Sequence, residues 1–313
     1  MATRRSGNSE RNDESVTADA RYDPLSSPKR VCTFHAVWRN GNRSPAALPT
    51  ATIRCFRRSS TQRTYPDRPG EYRPSVDLDR IDPRRLPVHV ACVMDGNGRW
   101  AQKRGLPRTE GHAAGEEALM DAVDGALELG IKWLTVYAFS TENWKRPVDE
   151  VRFLMRFNES LLARRRDELH DKGVRIRFSG RRDWRVPKRL LRQMDESIAL
   201  TQRNRRMTLT VAFNYGGRAE VVDAVRVLVA EGVPAERIDE KAIRSRLYHP
   251  DAPDPDLMIR TSGEFRISNF LLWELAYSEL VFTDVLWPDF RRDHLFEAVR
   301  EFQRRDRRFG AVE

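Results

Sequence analysis

The chain has 313 residues, 40% of them apolar and 33% charged, with a formal net charge of +10. That length suits one large α/β domain or two small ones. No apolar run approaches the about 18 residues of a membrane span, and the N-terminus has arginines but no apolar signal core, so secretion is not expected and the cytoplasm is the expected compartment. The charge is uneven. The first 70 residues carry 13 Lys and Arg against 6 Asp and Glu, which leaves only +3 for the rest. Residues 1–80 are rich in Arg, Ser, Thr, Pro and Asp without a sustained apolar period, and read as a disordered or loosely packed basic arm. Its arginines are scattered and poorly interleaved with aromatics, so no nucleic-acid partner is expected. Residues 81–313 read as a single domain. Cys32, Cys55 and Cys92 form no CxxC pair and imply no disulfide framework. Cys92 lies in an apolar run and reads as a small core residue.

The folded part begins with a buried strand at Val88–Val93, broken by Gly96 and Gly98. Small and apolar residues at helical spacing from Ala113 to Leu127 predict a helix, with Gly130 as its stop. Trp133–Phe139 follows as a strand. A helix beginning at Asp149 turns Val151, Leu154, Leu161 and Leu162 toward the core. Val174, Ile176 and Phe178 alternate with Arg175 and Arg177, the pattern of a strand near a sheet edge. A helix over 187–203, a strand at Thr208–Phe213, a helix at Val221–Ala230 and a short strand at Leu257–Ile259 come next. Phe270–Tyr277 and Leu295–Arg304 are predicted helices. Strands alternating with helices of this length predict an α/β fold, a mostly parallel central sheet flanked by helices. Ligands in such sheets sit beyond the carboxyl ends of the strands, and the polar clusters fall there.

The first cluster runs from Asp95 to His112. Gly96 and Gly98 give the backbone freedom to turn amides toward an anion. Asn97 tolerates unusual dihedrals or hydrogen-bonds a ligand. Arg99 and Arg108 are planar, permanently charged donors for phosphate oxygens, and His112 lies near a helix amino end that favours an anion. A carboxylate beside a diphosphate is repulsive unless a divalent cation intervenes, and Mg²⁺ takes one or two carboxylates together with phosphate oxygens. The plain alternative is a tight turn whose aspartate caps the next element. There is no GxGxxG and no Walker lysine, so a nucleotide is not the first choice. In the second cluster Phe139 and Trp144 could wall an apolar substrate. Ser140 and Asn143 could position it or relay a proton, or Ser140 or Thr141 could simply cap a turn. Arg146 adds a cation, and Glu142 could hold an arginine. In the third, Arg260, Arg266 and Ser268 suit a second diphosphate. Glu264 and Glu279 are candidates for orienting arginines or completing a cation site, Glu279 on the helix expected after Asn269.

The stretches HVACVMDGNGRWAQKRG, YAFSTENWKRP, NYGGR and IRTSGEFRISNFLLWELAYSELVFTDVLWPDF resemble the cis-prenyltransferase family, especially the bacterial undecaprenyl and decaprenyl diphosphate synthases. The resemblance covers about Leu86 to Gly310. It implies a homodimer of α/β subunits, each with a deep apolar tunnel. It implies cis-prenyl elongation, condensing isopentenyl diphosphate onto an allylic diphosphate such as farnesyl or geranyl diphosphate, to supply a lipid carrier precursor for cell-wall synthesis. By the same resemblance Asp95 handles Mg²⁺ and diphosphate. Gly96, Asn97, Gly98, Arg99, Arg108 and His112 match the allylic diphosphate site, and Arg260, Arg266 and Ser268 match the isopentenyl diphosphate clamp. Ser140 and Asn143 match residues that position and deprotonate the incoming unit, and Glu279 matches a residue linked to the cation. Trp100, Ala138, Phe139, Trp144 and Arg146 match supporting or wall groups. Ser262 and Phe265 depart from the pattern, since the common pattern has glycine at the first and many members have histidine at the second. Each added isoprene buries roughly five carbons at about 0.8 kcal/mol apiece, and a small Ala138 near the entrance leaves room for a product of about C50 to C55. A short-chain or irregular synthase and a non-catalytic partner subunit are the alternatives. Peripheral membrane contact for product release is a further expectation.

Overall fold

The computed structural model of the chain describes residues 80–305. The basic arm expected over 1–80 lies, but for Arg80, outside the described residues, as do Cys32 and Cys55. The strands are β1 (His89–Val93), β2 (Trp133–Ser140), β3 (Val174–Ser179), β4 (Met207–Tyr215), β5 (Leu257–Arg260) and β6 (Glu279–Phe282). They form one sheet in the order β3-β4-β2-β1-β5-β6, every pair parallel. Parallel neighbours need long crossovers. These are supplied by α1 (Asn97–Gln102), α2 (Arg108–Leu129), α3 (Val148–Asp171), α4 (Lys188–Thr201), α5 (Gly217–Ala230) and α6 (Glu240–Arg244), with α7 (Arg292–Gln303) closing the described chain.

β1 lies inside the sheet and all five of its residues are buried, as a continuous apolar run in a sheet covered on both faces requires. Val90 and Cys92 point to one face, where α2 and α7 pack. Ala91 and Val93 point to the other, against Phe270, Leu271 and Leu275. The chain leaves β1 toward β2 on one side and leaves β5 toward β6 on the other. The gap beyond the ends of β1 and β5 is therefore the switch point of the sheet, where the connections diverge and leave a crevice. The predicted edge placement of Val174–Phe178 holds, since β3 is the outer strand. Gly130 caps α2 in the left-handed region at φ 79°, as its predicted role as a stop requires.

Three elements differ from expectation. Phe270–Tyr277 is a run of turns, not a helix. Ser268, Asn269 and Leu271 adopt φ of 50°, 62° and 43°, and a right-handed helix cannot start through left-handed residues. Glu279 consequently opens strand β6 instead of lying on a helix. Helix α1 occupies the segment read as an open glycine turn, with Gly96 at φ 110° just before it. Also unanticipated is a bulge in β2. Tyr137 pairs with Ala212 and Phe139 with Phe213, so Ala138 is an extra residue, the device by which a strand re-aims side chains beside a site.

Helix α1 rests on α2 through glycine. A methyl group on Gly111 would lie 2.0 Å from the Asn97 carbonyl oxygen, and one on Gly115 2.6 Å from its side-chain oxygen. The Gly111→Ala variant is expected to lose about 1–3 kcal/mol of stability through overpacking, read as a lower urea midpoint at unchanged slope.

Candidate active site

The switch point is held by one ion pair. Arg260, the last residue of β5, is only 3% exposed. Its Nη2 donates to Asp95 Oδ2 at 2.8 Å, and its Nη1 donates to the Arg266 carbonyl at 2.5 Å and to Ser268 Oγ at 2.6 Å. Thr261 ties the same two strand ends. Its hydroxyl donates to the Asp95 carbonyl at 2.6 Å, and the Asp95 amide donates to that hydroxyl at 2.9 Å. Burial alone would raise the Asp95 carboxyl, but the Arg260 guanidinium, with Arg99 and Ser262, outweighs it and holds the group below the usual carboxylate value. Asp95 is thus ionised at neutral pH.

Around this pair the strand-end loops form a rim. Arg99 donates from Nη1 to the Ser262 carbonyl at 3.0 Å and from Nη2 to Ser262 Oγ at 2.6 Å, and lies 3.4 Å from Asp95 and 3.3 Å from Glu264. Arg266 is more exposed and pairs with Glu264. Across the opening, Arg146 and Arg108 share Glu150 at 2.9 and 3.5 Å. Gly98 lets the Arg108 guanidinium lie close over the backbone, since a methyl group there would come within 2.7 Å of its carbon and push the side chain aside. His112 Nε2 is buried without a hydrogen-bond partner among the described residues. Ser140 caps the 3-10 turn Thr141–Lys145, and its amide donates to Asn143 Oδ1 at 3.0 Å. The capping reading of this pair is therefore realised, while both residues still border the cavity. Asn97 donates to the Met94 carbonyl at 3.2 Å.

Below the rim is a cavity of about 680 Å³. Asp95, Gly96, Asn97, Gly98, Arg108, His112, Ser140, Asn143, Arg146, Arg260, Arg266 and Ser268 border its polar end. Its body is walled mostly by hydrocarbon: Ala138, Phe139, Leu119, Leu162, Met194 and Phe213 line it, interrupted by Glu116 and Asn158. The structure brings twelve of the expected site residues to one opening. It does not bring them all. Trp144 is not a wall; it packs edge-on behind Phe139 at 4.9 Å and donates from Nε1 to Asn214 Oδ1. Trp100 faces outward, donating to Asp289 at 2.7 Å beneath Arg104. Arg99 reaches Asp95 but does not line the cavity. Glu279 is placed elsewhere within the chain: it aligns with Leu257, which aligns with Val90, so Asp95, five residues beyond Val90, lies up to roughly 16 Å further along the strand direction at about 3.3 Å per residue. Its carboxylate pairs with Arg305 at 2.9 Å.

Sequence reading missed Glu150, which gathers two arginines; Thr261, which fastens Asp95; and Asn269, which donates to Glu142 at 2.9 Å. Only Asn269 gave a signal, as an amide beside the arginine loop.

Similarity to known proteins agrees with this geometry. A family model described as "Putative undecaprenyl diphosphate synthase" matches residues 93–310. The chain belongs to the undecaprenyl diphosphate synthase family of prenyltransferases. It is 56% identical over 236 residues, 74% of this chain and 83% of the other, to a protein of Thermobifida fusca named trans,polycis-polyprenyl diphosphate synthase ((2Z,6E)-farnesyl diphosphate specific). It is 54% identical to isoprenyl transferase 2 of Corynebacterium glutamicum, covering 75% of this chain and 98% of that one. Among solved structures it is similar to lavandulyl diphosphate synthase from Lavandula x intermedia in complex with dimethylallyl diphosphate, with a TM-score of 0.69, 36% identity, and coverage of 73% and 100%. It is also similar to a probable undecaprenyl diphosphate synthase of Campylobacter jejuni, with a TM-score of 0.62, 28% identity, and coverage of 72% and 99%. The family's chemistry is prenyl transfer, and this chain is an enzyme of that kind.

Burial lowers the His112 imidazole from 6.5 to about 4, with Arg146 and Arg108 adding to the effect and Glu150 opposing it. Burial likewise takes His89 and His249 to about 4. Between those values the unfolded chain binds protons that the native chain refuses, so stability falls as pH drops from 6.5 toward 4. Urea midpoints at neutral pH and at about pH 5 are expected to show that fall, and His112→Asn is expected to shrink it.

Proposed function

We propose that the chain elongates an allylic diphosphate with isopentenyl diphosphate units, forming cis double bonds, to a product of about C50 to C55, a length whose added carbons each gain about 0.8 kcal/mol from an apolar cavity. The observation that carries this reading is the Asp95–Arg260 pair set at the polar rim of a cavity whose body is mostly hydrocarbon. Such a cavity suits a molecule with an anionic head and an apolar tail. The named specificity of the Thermobifida fusca relative supports a farnesyl diphosphate primer over a geranyl one.

In this reading Arg108, His112 and the Gly96–Gly98 backbone hold the allylic diphosphate. A phosphate oxygen supplies the partner that His112 Nε2 lacks. Arg260, Arg266 and Ser268 hold the head of the isopentenyl unit beside it. The arginines stabilise the charge that develops on the departing diphosphate as the allylic C–O bond breaks. The isopentenyl double bond attacks the allylic carbon, and loss of a proton completes the cis alkene. Ser140 and Asn143 border the space where that proton leaves, with the departing diphosphate as the other acceptor. Ala138 and Phe139 receive the growing chain, and the cavity body serves as the start of the product tunnel.

The family chemistry leads to the question of a cation. No cluster of three His, Cys, Asp or Glu side chains that could hold a metal occurs among the described residues. Asp95 offers a single ionised carboxylate beside the diphosphate position. That donor set fits Mg²⁺ arriving with its diphosphate, which supplies the remaining oxygens, and does not fit a resident metal cage. Asp95 would hold it, and the ion would supply electrostatic stabilisation of the leaving group. Glu279 is not assigned to it from the same chain.

A second reading, a short-chain or irregular synthase, draws support from the similarity to lavandulyl diphosphate synthase. Homodimerisation is part of the proposal; the half-buried edge strand β6, flanked by exposed Phe265 and Tyr277, supports it. No helix among the described residues is long and apolar enough to cross a membrane. Peripheral membrane contact is proposed for product release. Trp184, 90% exposed on the β3–α4 loop beside Arg182, Arg185 and Lys188, supports it, since interfacial aromatics and cations favour a bilayer surface. Residues 81–313 are proposed as the catalytic domain, with 1–80 as an accessory arm.

Incubation with farnesyl diphosphate, labelled isopentenyl diphosphate and Mg²⁺ is expected to yield long polyprenyl product. Asp95→Ala is expected to lower turnover by about 10²-fold or more; equal turnover would reject the site assignment. Ala138→Leu is expected to shorten the product on reversed-phase chromatography, and an unchanged distribution would reject its placement at the cavity wall.

A further inference from the structure

One charged group on the cavity wall has no part in the chemistry above. Glu116 lies on α2, one turn beyond His112, and is 8% exposed. It lines the cavity between Gly115 and Leu119 in the sequence, and Leu161, Leu162 and Phe178 line the same cavity together with Asn158. Its carboxylate is gripped from α3. Arg164 Nη2 donates to Oε2 at 2.5 Å and Arg165 Nε donates to Oε1 at 2.7 Å. Arg165 is further fixed by Glu117 and by Glu168 at 2.9 Å. Burial would raise the Glu116 carboxyl, but the two guanidiniums prevail and keep it ionised.

The α2–α3 seam is bridged at three levels: Arg108–Glu150 at the rim, Glu116 with Arg164 and Arg165 in the middle, and Asp124–Lys172 at 2.6 Å at the far end. Of the middle and far bridges, only the middle one presents a side chain to the cavity. A hydrocarbon tail growing down from the rim gains by covering apolar wall. It gains nothing by lying against an ionised carboxylate, and passing between the helices would require breaking that carboxylate's pairs.

We propose that Glu116, clamped by Arg164 and Arg165, is a specificity-determining residue that bounds the hydrocarbon compartment and sets the length of prenyl chain the cavity accepts. This rests on the reading of the site as one for prenyl diphosphates. The bound is local to the cavity wall and is not a general effect of tying α2 to α3.

The test measures binding and product length together. Prenyl or saturated alkyl diphosphates of increasing length are titrated calorimetrically against the wild type, Glu116→Ala and Asp124→Asn. Wild-type affinity is expected to rise roughly three- to four-fold per added methylene and then level off. Glu116→Ala is expected to level off at a longer chain and, in the elongation assay, to make products at least one isoprene unit longer. Asp124→Asn, which loosens the seam without touching the cavity wall, is expected to match the wild type. An unshifted plateau in Glu116→Ala, or an equal shift in Asp124→Asn, overturns the inference. Should Glu116→Ala fail to fold, the shape-preserving Glu116→Gln decides in the same way. The binding plateau is readable without turnover. Absent wild-type elongation would therefore sink the proposed function, while the plateau would still judge this inference.

Discussion

The arrangement depends on a guanidinium that cannot stay buried alone. Arg260 closes strand β5 with almost no exposure to water, and leaving such a charge unpaired costs about 3–5 kcal/mol. Asp95, one sheet position across, meets that need at 2.8 Å. Because β1 and β5 are parallel and paired from Val90–Leu257 to Val93–Arg260, Asp95 leaves β1 two residues beyond the level of Arg260, within reach of its guanidinium. The pair is therefore a consequence of strand register, and register is fixed by which residues of β1 face each core. The loop carrying Arg266 and Ser268 is drawn in as well, since its carbonyl and hydroxyl accept from Arg260 Nη1, while Arg260 Nε is buried without a partner among the described residues.

The second constraint is the contrast between rim and body. Charged groups collect where the strands end, because only there can loop backbone and water share their solvation. A few residues deeper the walls come from helix faces and strand interiors, which, Glu116 and Asn158 apart, are apolar for reasons of folding. A cavity built on this plan is amphipathic without special provision. The β2 bulge sharpens it by directing consecutive residues, Ala138 and Phe139, into the same cluster. The small Ala138 leaves volume where Phe139 takes it, and Trp144 and Phe213 brace that ring from two sides.

Much of this was legible in the sequence, for identifiable reasons. The apolar run before Asp95, the alternation of Arg175 and Arg177 with Val174, Ile176 and Phe178, and the small-residue face of α2 each report a local preference that the sheet then satisfies. The convergence of DGNGRW, FSTENWKR and IRTSGEFRIS followed from the rule that loops at strand carboxyl ends meet. The failures are also physical. Phe270–Tyr277 has helical composition, but the left-handed backbone of Ser268, Asn269 and Leu271 aligns the preceding loop for Arg260 and prevents helix entry; tertiary demand overrode propensity. β6 has four half-buried residues and no period long enough to detect. Glu116 and Glu150 look like ordinary solvated helix residues, and only the approach of α3 to α2 gives Glu116 its arginine partners and brings Arg108 to Glu150.

The rim arginines are already paired before any ligand arrives, and the pairs are unequal. Arg266–Glu264 and Arg108–Glu150 involve guanidiniums exposed by 60% and 58%, and exposed pairs are worth about 0–1 kcal/mol. A diphosphate, with more charge than a carboxylate, can take those guanidiniums at little cost. Arg260 is different, because its pair with Asp95 lies inside, and exchanging it outright would strand a carboxylate beside an anion. The economical outcome is that an arriving head group recruits the rim first and approaches Arg260 without displacing Asp95. In the proposed reading that order keeps the buried pair as a fixed reference against which both heads would be aligned, so that the reacting carbons would be brought together by geometry that exists before binding.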